Sequence, residues 1–351
     1  MTSRTRYFMG GSAAILVAGL GTGLVAYYGG GFPSLSASRS GPSELSYVPA
    51  DTAVVAFANV REVMDSQLRQ RLKIVLPQEQ GQKEFQQETG IDIEQDIDYV
   101  VAAMTSANGT DPNGLVVARG RFNTTQLETL AREHGGVVEE YKGKRLIKAP
   151  AHIDTTDAPR ELGDKIARMN DRSVVLAFLE PGLVGIGSEA AIKSAIDAQL
   201  SAHSITSNNE MMELIADIDQ GNNAWAVGRF DAIAHQAKMP AEIASRLPAV
   251  KTFAVMTHID GGITGSLRAE TRDDASAENL RQVVQGLVAL GKMSNEPKAM
   301  ALLNSLQLSG SGKTVRLSFA VPSEVLDMIP VKKAVEGGDH QHVLPQELKK
   351  R

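Results

Sequence analysis

Asp98–Phe122, DYVVAAMTSANGTDPNGLVVARGRF, sets two apolar runs on either side of a turn rich in Asn and Gly, and Lys251–Glu270, KTFAVMTHIDGGITGSLRAE, does the same. Short runs of Val, Ala, Ile and Thr bounded by Gly, Asn and Asp read as the two strands of an antiparallel hairpin. What surrounds each hairpin also repeats. Thr52–Asp65, TAVVAFANVREVMD, leads into the first and Asn223–Gln236, NAWAVGRFDAIAHQ, into the second, each a strand running into a helix. A helix follows each hairpin, Asn123–Gly135 (NTTQLETLAREHG) and Asp273–Leu290 (DDASAENLRQVVQGLVAL). Both copies then close on strand, tight turn, strand, small cap residue and helix: Ser173–Asp197, SVVLAFLEPGLVGIGSEAAIKSAID, and Asn304–Ile329, NSLQLSGSGKTVRLSFAVPSEVLDMI. Matching elements in one order predict an internal duplication.

Each unit is β-α-β-β-α-β-β-α in outline. Hairpins dominate, so the fold class is α+β: two similar units, side by side, of mainly antiparallel sheet with helices packed on one face. The first α+β unit spans 47–200, a connection 201–221, the second unit 222–330, and a polar tail 331–351 is expected to fray. The first copy carries extra chain at about 137–171. There Val137–Tyr141 and Arg145–Lys148 bracket Lys142-Gly143-Lys144 as a further hairpin, and a surface loop follows from Ala151. Val63, Leu68, Leu72 and Val75 predict one amphipathic helix ending before Pro77, and a polar helix is expected over 82–89. Asn123 and Ser188 stand where helix caps belong.

The N-terminus carries a different signal. Tyr7–Tyr28, YFMGGSAAILVAGLGTGLVAYY, contains no charged side chain, and about 20 apolar residues suffice for a helix to cross a bilayer once. Tyr7, Phe8, Tyr27 and Tyr28 bracket it, as interfacial aromatic rings do. Arg4 and Arg6 precede the run and no Lys or Arg follows until Arg39, so residues 1–6 are expected in the cytoplasm and the body outside it. A cleaved signal peptide is the competing reading. It favours an apolar region of about 7–15 residues with an A-x-A-like site behind it, whereas here only Ser36-Ala37-Ser38 offers small residues. Gly19 and Gly23 have the G-x-x-x-G spacing that lets two membrane helices approach closely, or simply belong to a glycine-rich anchor. Residues 29–46 form a Gly/Ser/Pro-rich spacer.

Composition removes several function classes. The chain has 351 residues, 42% hydrophobic and 22% charged, with net charge −5. That mildly acidic balance argues against non-specific nucleic-acid binding. Without cysteine there is no disulfide, thiol nucleophile, thiolate metal site or lipid-modified N-terminal Cys. Ser309–Thr314, SGSGKT, lacks the earlier Gly of a phosphate loop, since position 307 is Gln, and precedes a strand pattern; no nucleotide is expected. Asp92, Glu94, Asp96 and Asp98 alternate but lack the Gly and terminal Glu of a calcium loop. Asp339, His340 and His342 could approach one metal, but the two histidines lack a third ligand anchored in the folded body. His258 and Asp260 share a strand face as a rim pair. Ser188 reads as a cap rather than a nucleophile, and Trp225 as core. No catalytic residue, cofactor site or metal site is assigned.

Pro49–Phe57, PADTAVVAF, set behind an N-terminal anchor and ahead of the duplicated hairpin units, resembles bacterial membrane-anchored ectodomains of a family of unknown function. The resemblance covers most of 45–330, carries no catalytic residue across, and implies an envelope protein. The leading expectation is a non-enzymatic interaction or assembly module that docks another envelope protein through a sheet face or edge. The alternative is a carrier of a hydrophobic small molecule or lipid, and an uncharacterised enzyme comes third. An exposed apolar patch favours the partner and a deep apolar cavity the carrier.

Overall fold

The computed structural model describes residues 42–75, 86–105 except 88, 114–149 except 134, 174–230 except 219 and 220, 250–293, 300 and 303–322. Among the described residues twelve strands form one antiparallel sheet. They are β1 (Thr52–Ala58), β2 (Ile97–Thr105), β3 (Gly114–Gly120), β4 (Val137–Tyr141), β5 (Lys144–Ala149) and β6 (Val174–Glu180). The rest are β7 (Leu183–Ser188), β8 (Ala224–Arg229), β9 (Val250–Ile259), β10 (Gly262–Thr271), β11 (Gln307–Ser309) and β12 (Thr314–Pro322). Their spatial order is β11-β12-β10-β9-β8-β1-β2-β3-β7-β6-β5-β4. The α+β class with antiparallel pairing therefore holds, and the sheet runs unbroken through the β1–β8 pair, where Phe57 lies opposite Trp225. Outward from that seam the halves trace the same path, β1-β2-β3-β7-β6 against β8-β9-β10-β12-β11, and among the described residues β5 and β4 extend the first alone.

The hairpins form as their residues dictate. β2 pairs β3, β9 pairs β10 and β6 pairs β7, all antiparallel. Between β4 and β5, Lys142 and Gly143 both take positive φ, 49° and 78°, the conformation of a two-residue turn whose twist matches the strands it joins.

Helices cover both faces of the sheet, which corrects the expectation of one covered face. Strand residues alternate between two apolar sets, so neither face of a wide sheet can be left to water. On the first face lie a 3-10 turn at Ser43–Tyr47, helix α5 (Glu189–Ser201) and helix α6 (Asn209–Ala216). They bury the largest core cluster, in which Leu45, Ile192, Ile196 and Ile205 are fully inaccessible beside Val55, Val117 and Val227. Each such aliphatic side chain stabilises the fold by about 1.5–3 kcal/mol. On the other face α1 (Val60–Asp65) and α2 (Gln67–Val75) press Val63 and Leu68 onto Ile259 and Ile263, so helices of the first half roof strands of the second. Helix α4 (Thr124–Glu133) lays Leu127 over Ala118, Ile147 and Phe178. A single-turn helix α3 (Ile93–Asp96) introduces β2, and α7 (Asp274–Lys292) lies along β10 and β12.

The single helix expected through Val63–Val75 is two. Ser66 leaves the helical conformation at ψ 154°, and its hydroxyl accepts from the Arg69 N–H at 3.0 Å, capping a new helix. The hydroxyl satisfies an amide that the preceding helix would otherwise hold, so the apolar period continues while the axis changes. Ser188 and Asn123 do cap, accepting from Ala191 N and Gln126 N at 3.1 Å each. The connection 201–221 is part of the core: Met211 and Ile215 of α6 are buried, and the Ile205 N–H donates to Val48 O at 2.7 Å. The polar helix at 82–89 falls mostly, and the loop after Ala151 and the tail 331–351 wholly, outside the described residues.

Candidate functional site

Three places concentrate polar or exposed apolar groups. The first is where the chain enters the body. Glu44, whose side chain is wholly buried, accepts from Arg119 Nε at 2.6 Å and from the Ser43 hydroxyl at 3.2 Å. The Tyr47 hydroxyl donates to Glu180 Oε1 at 2.8 Å, and the Arg119 guanidinium stands 3.6 Å from the other Glu180 oxygen. Burial, reinforced by the Glu180 carboxylate, holds the Tyr47 phenol protonated far above the ordinary tyrosine range. Tyr99, opposite Arg119 across the β2–β3 pair, is pushed up by burial and then by the Glu44 carboxylate. An aromatic row continues from it: Phe57 lies 6.0 Å from Tyr99 and stacks on Trp225 at 5.6 Å. Each carboxylate is matched by a donor, so the cluster fastens the segment 43–47 to β3 and the β6–β7 turn. A buried carboxylate held this way is costly to unpair.

The second lies at the seam. Asn223 is buried and clamps the end of β9, donating to Ile259 O at 2.8 Å and accepting from Ile259 N at 3.0 Å, while its own carbonyl accepts from Asn59 N at 2.8 Å. Beside it Glu62, in the first turn of α1, is half-buried. Burial raises its pKa to about 7; the Asp260 carboxylate adds to the rise and a hydrogen bond with Asn223 opposes it. Glu62 thus exchanges a proton near neutrality, but Asp260 and Asn223 bring no nucleophile to that contact.

The third is helix α7. Asp273 caps it, accepting from Ser276 N at 2.7 Å, and Arg281 donates to the carbonyls of Gly312 and Thr314 at 3.0 Å each. Of its 19 residues only Ala277 is buried. Leu287 is 60% exposed and Leu290 66%, Met293 just beyond is 76% exposed, and Leu267 on neighbouring β10 is 40% exposed. Four of the seven large apolar side chains exposed among the described residues are these. The amphipathic pattern of 273–290 reads as a helix; that no described residue covers Leu287 and Leu290 on its apolar face does not follow from that pattern.

The residues singled out from sequence fall as follows. The membrane-anchor residues Tyr7, Phe8, Tyr27 and Tyr28, and Gly19 and Gly23, lie outside the described residues, as do Asp339, His340 and His342. Among the described residues no helix is long and apolar enough to cross a membrane. The acidic alternation is spent on arginines: Arg69 pairs with Glu94, Arg121 with Asp96 at 3.3 Å and Arg61 with Asp98, while Gln86 donates to Asp92 at 3.2 Å. Lys313 is followed by strand β12 instead of a helix, and Gly310 and Gly312 take positive φ, 100° and 56°, in the turn before it. Among the described residues no group of three His, Asp or Glu is placed to hold a metal ion. Trp225 is 8% exposed within the core.

No protein-family model matches the chain, and no curated protein matches it. Among solved structures it is similar to crystal form I of TP0453, with 8% identity and a TM-score of 0.45 over 84% of this chain and 96% of that one. A likeness at that level adds nothing to the reading of function.

Proposed function

We propose that the chain is a single-pass, membrane-anchored extracytoplasmic protein of the bacterial envelope, acting without catalysis as an interaction and assembly module. Its body consists of two α+β units descended from one duplicated unit. The shared strand path on either side of the β1–β8 seam supports the duplication. The uncharged run Tyr7–Tyr28 with Arg4 and Arg6 before it supports the anchor and its direction.

One observation carries the assembly role: the apolar ridge Leu287, Leu290 and Met293, exposed on a helix that is itself well capped and fastened at its N-terminal end. Scattered exposed apolar residues are ordinary, whereas a contiguous row on one element marks a surface built to be covered. The polar clusters, by contrast, are consumed internally by Arg119, Arg61, Arg69 and Arg121.

A photo-crosslinking amino acid placed at position 287 of the full chain, in cells, is expected to capture protein, and one at the isolated exposed Leu200 is not. Equal capture at both positions, or none at 287, overturns the assembly role. Topology is read separately: protease added to sealed spheroplasts should digest the body, and an untouched body overturns the extracytoplasmic placement.

A further inference from the structure

The sheet has two ends, and α7 runs from one to the other. The first end carries the β4–β5, β6–β7 and β9–β10 turns and the last residue of β12, Pro322, which lies opposite Gly262. Helix α7 starts at the second, where the Thr271 N–H donates to Lys313 O and Arg281 reaches the Gly312 and Thr314 carbonyls. Its C-terminal end arrives at the first: a Cβ on Gly291 would meet Leu303, and the nearby Ser305 hydroxyl accepts from Ala320 N at 3.4 Å. Leu287, Leu290 and Met293, each more exposed than the last, therefore occupy the half of α7 nearest that first end. The chain enters the body there too. Glu44 fastens Ser43–Tyr47 to Arg119 and Tyr47 fastens it to Glu180, beside the β6–β7 turn, before the chain crosses the first face to begin β1 at the opposite end.

We propose that the ridge is covered by an uncharged, apolar segment of a different protein embedded in the same membrane, a segment standing just outside the bilayer. This rests on the anchor and assembly readings above and names the class of partner. By the anchor reading, residues 29–42 link Tyr28 to the body. A chain of that length spans at most about 50 Å even when extended, so the end of the sheet bearing the ridge is the one tied near the bilayer. Confinement of both proteins to one plane then raises the effective concentration of each for the other.

The charges fit a protein partner better than lipid. Polarity changes along α7 as well as around it: Asp274 and Glu278 stand on the half far from the anchored end, while residues 282–291 carry no charge. An uncharged apolar surface is matched by another of its kind, as in the charge-depleted core of a protein interface. A helix that rests on lipid instead lines its polar face with Lys and Arg. Of the two basic residues of α7, Arg281 is held by Glu278 and by the Gly312 and Thr314 carbonyls. That leaves Lys292 to meet headgroups, in a chain of net charge −5.

The test places the photo-crosslinking amino acid at position 287 of the full chain, in cells, with a site for a specific protease inserted within residues 29–42. After irradiation the spacer is cut in sealed spheroplasts and the membranes are washed with alkaline carbonate, which releases the uncrosslinked body as an internal control. The expected product is a body adduct that stays with the membrane, contains a protein other than this chain, and does not form from position 278 on the far half of α7. An adduct released by the wash, an adduct with a second copy of this chain, or equal capture from position 278 overturns the membrane-embedded partner and spares the assembly reading. An adduct with lipid alone, or none, overturns both, and a spacer that the protease cannot reach overturns the extracytoplasmic placement on which the proposal stands. As a second measurement, Leu287→Glu with Leu290→Glu should lower the yield of retained adduct from position 293 about tenfold while leaving the thermal unfolding midpoint in place. A yield that the two glutamates leave unchanged overturns the proposal.

Discussion

Helices α5 and α7 begin alike and end differently. Each is capped by a small polar side chain, Ser188 accepting from Ala191 N and Asp273 from Ser276 N, and each carries an apolar stripe of helical period. Yet α5, with 13 residues, buries Ala191, Ile192, Ala195, Ile196 and Ala198, while α7, with 19, buries only Ala277. A cap and a period determine that a helix forms and which side is apolar. What covers that side is decided by its neighbours: α5 spends its apolar face on the fold, while α7 leaves Leu287 and Leu290 exposed among the described residues.

The sharpest test of that contrast is at Ile196. It is fully buried against the sheet, so Ile196→Ala removes its transfer free energy and leaves a cavity, and is expected to destabilise the body by about 2–5 kcal/mol in urea unfolding. A cost near zero would make α5 as loosely held as α7. Next comes Arg119→Ala, which strands the inaccessible Glu44 carboxylate beneath α5; about 2–4 kcal/mol should be lost, discounted from a fully buried pair because Arg119 is 28% exposed. If instead the variant unfolds at the wild-type urea concentration, water already serves Glu44 and the fastening of residues 43–47 is not electrostatic.

How much of this was legible follows from the range of the interactions involved. The hairpins and the caps at Ser188 and Asn123 are local, decided within a few residues, and both appear where the residues put them. The partition of helices between two faces is not local. Nor is the pair Glu44–Arg119, whose members are 75 residues apart, or the pairing of Glu94, Asp96 and Asp98 with arginines drawn from α2, the chain after β3 and α1. Ser66 is subtler, since a cap-forming residue sits inside an unbroken apolar period, and the period alone spells one helix across it. The apolar stripe of 273–290 is legible as amphipathic, but a covered stripe and an open one have the same spelling.

Between the two regions, at the seam, Glu62 gives a pH dependence. Its pKa is raised in the folded chain to about 7, mainly by burial, so the native state binds the proton more tightly than the unfolded one. Its contribution is then fully present below the ordinary carboxylate range and is lost as pH rises through about 7. Because the group is only partly buried, the loss is no more than about 1 kcal/mol. Glu62→Gln should flatten that decline, leaving stability at pH 4 unchanged and raising it at pH 8. A variant whose urea midpoint still falls between those pH values would place the responsible group elsewhere.

The smallest expected effect decides whether the contrast between α5 and α7 is real. Leu287→Ser and Leu290→Ser each replace a side chain that is already mostly in water, so little transfer free energy is available to lose and no cavity can open. Serine's poorer helix propensity costs a few tenths of a kcal/mol at an exposed site, and the capped N-terminal half of α7 is untouched. The two substitutions together should therefore change the unfolding free energy of the body by less than about 1 kcal/mol. That is well below the cost expected from one methyl-rich deletion at Ile196. Measured on the full chain in detergent at concentrations low enough to keep copies apart, a larger loss would mean that Leu287 and Leu290 are packed within their own chain. The ridge would then be an ordinary part of the core, and α7 would resemble α5 after all.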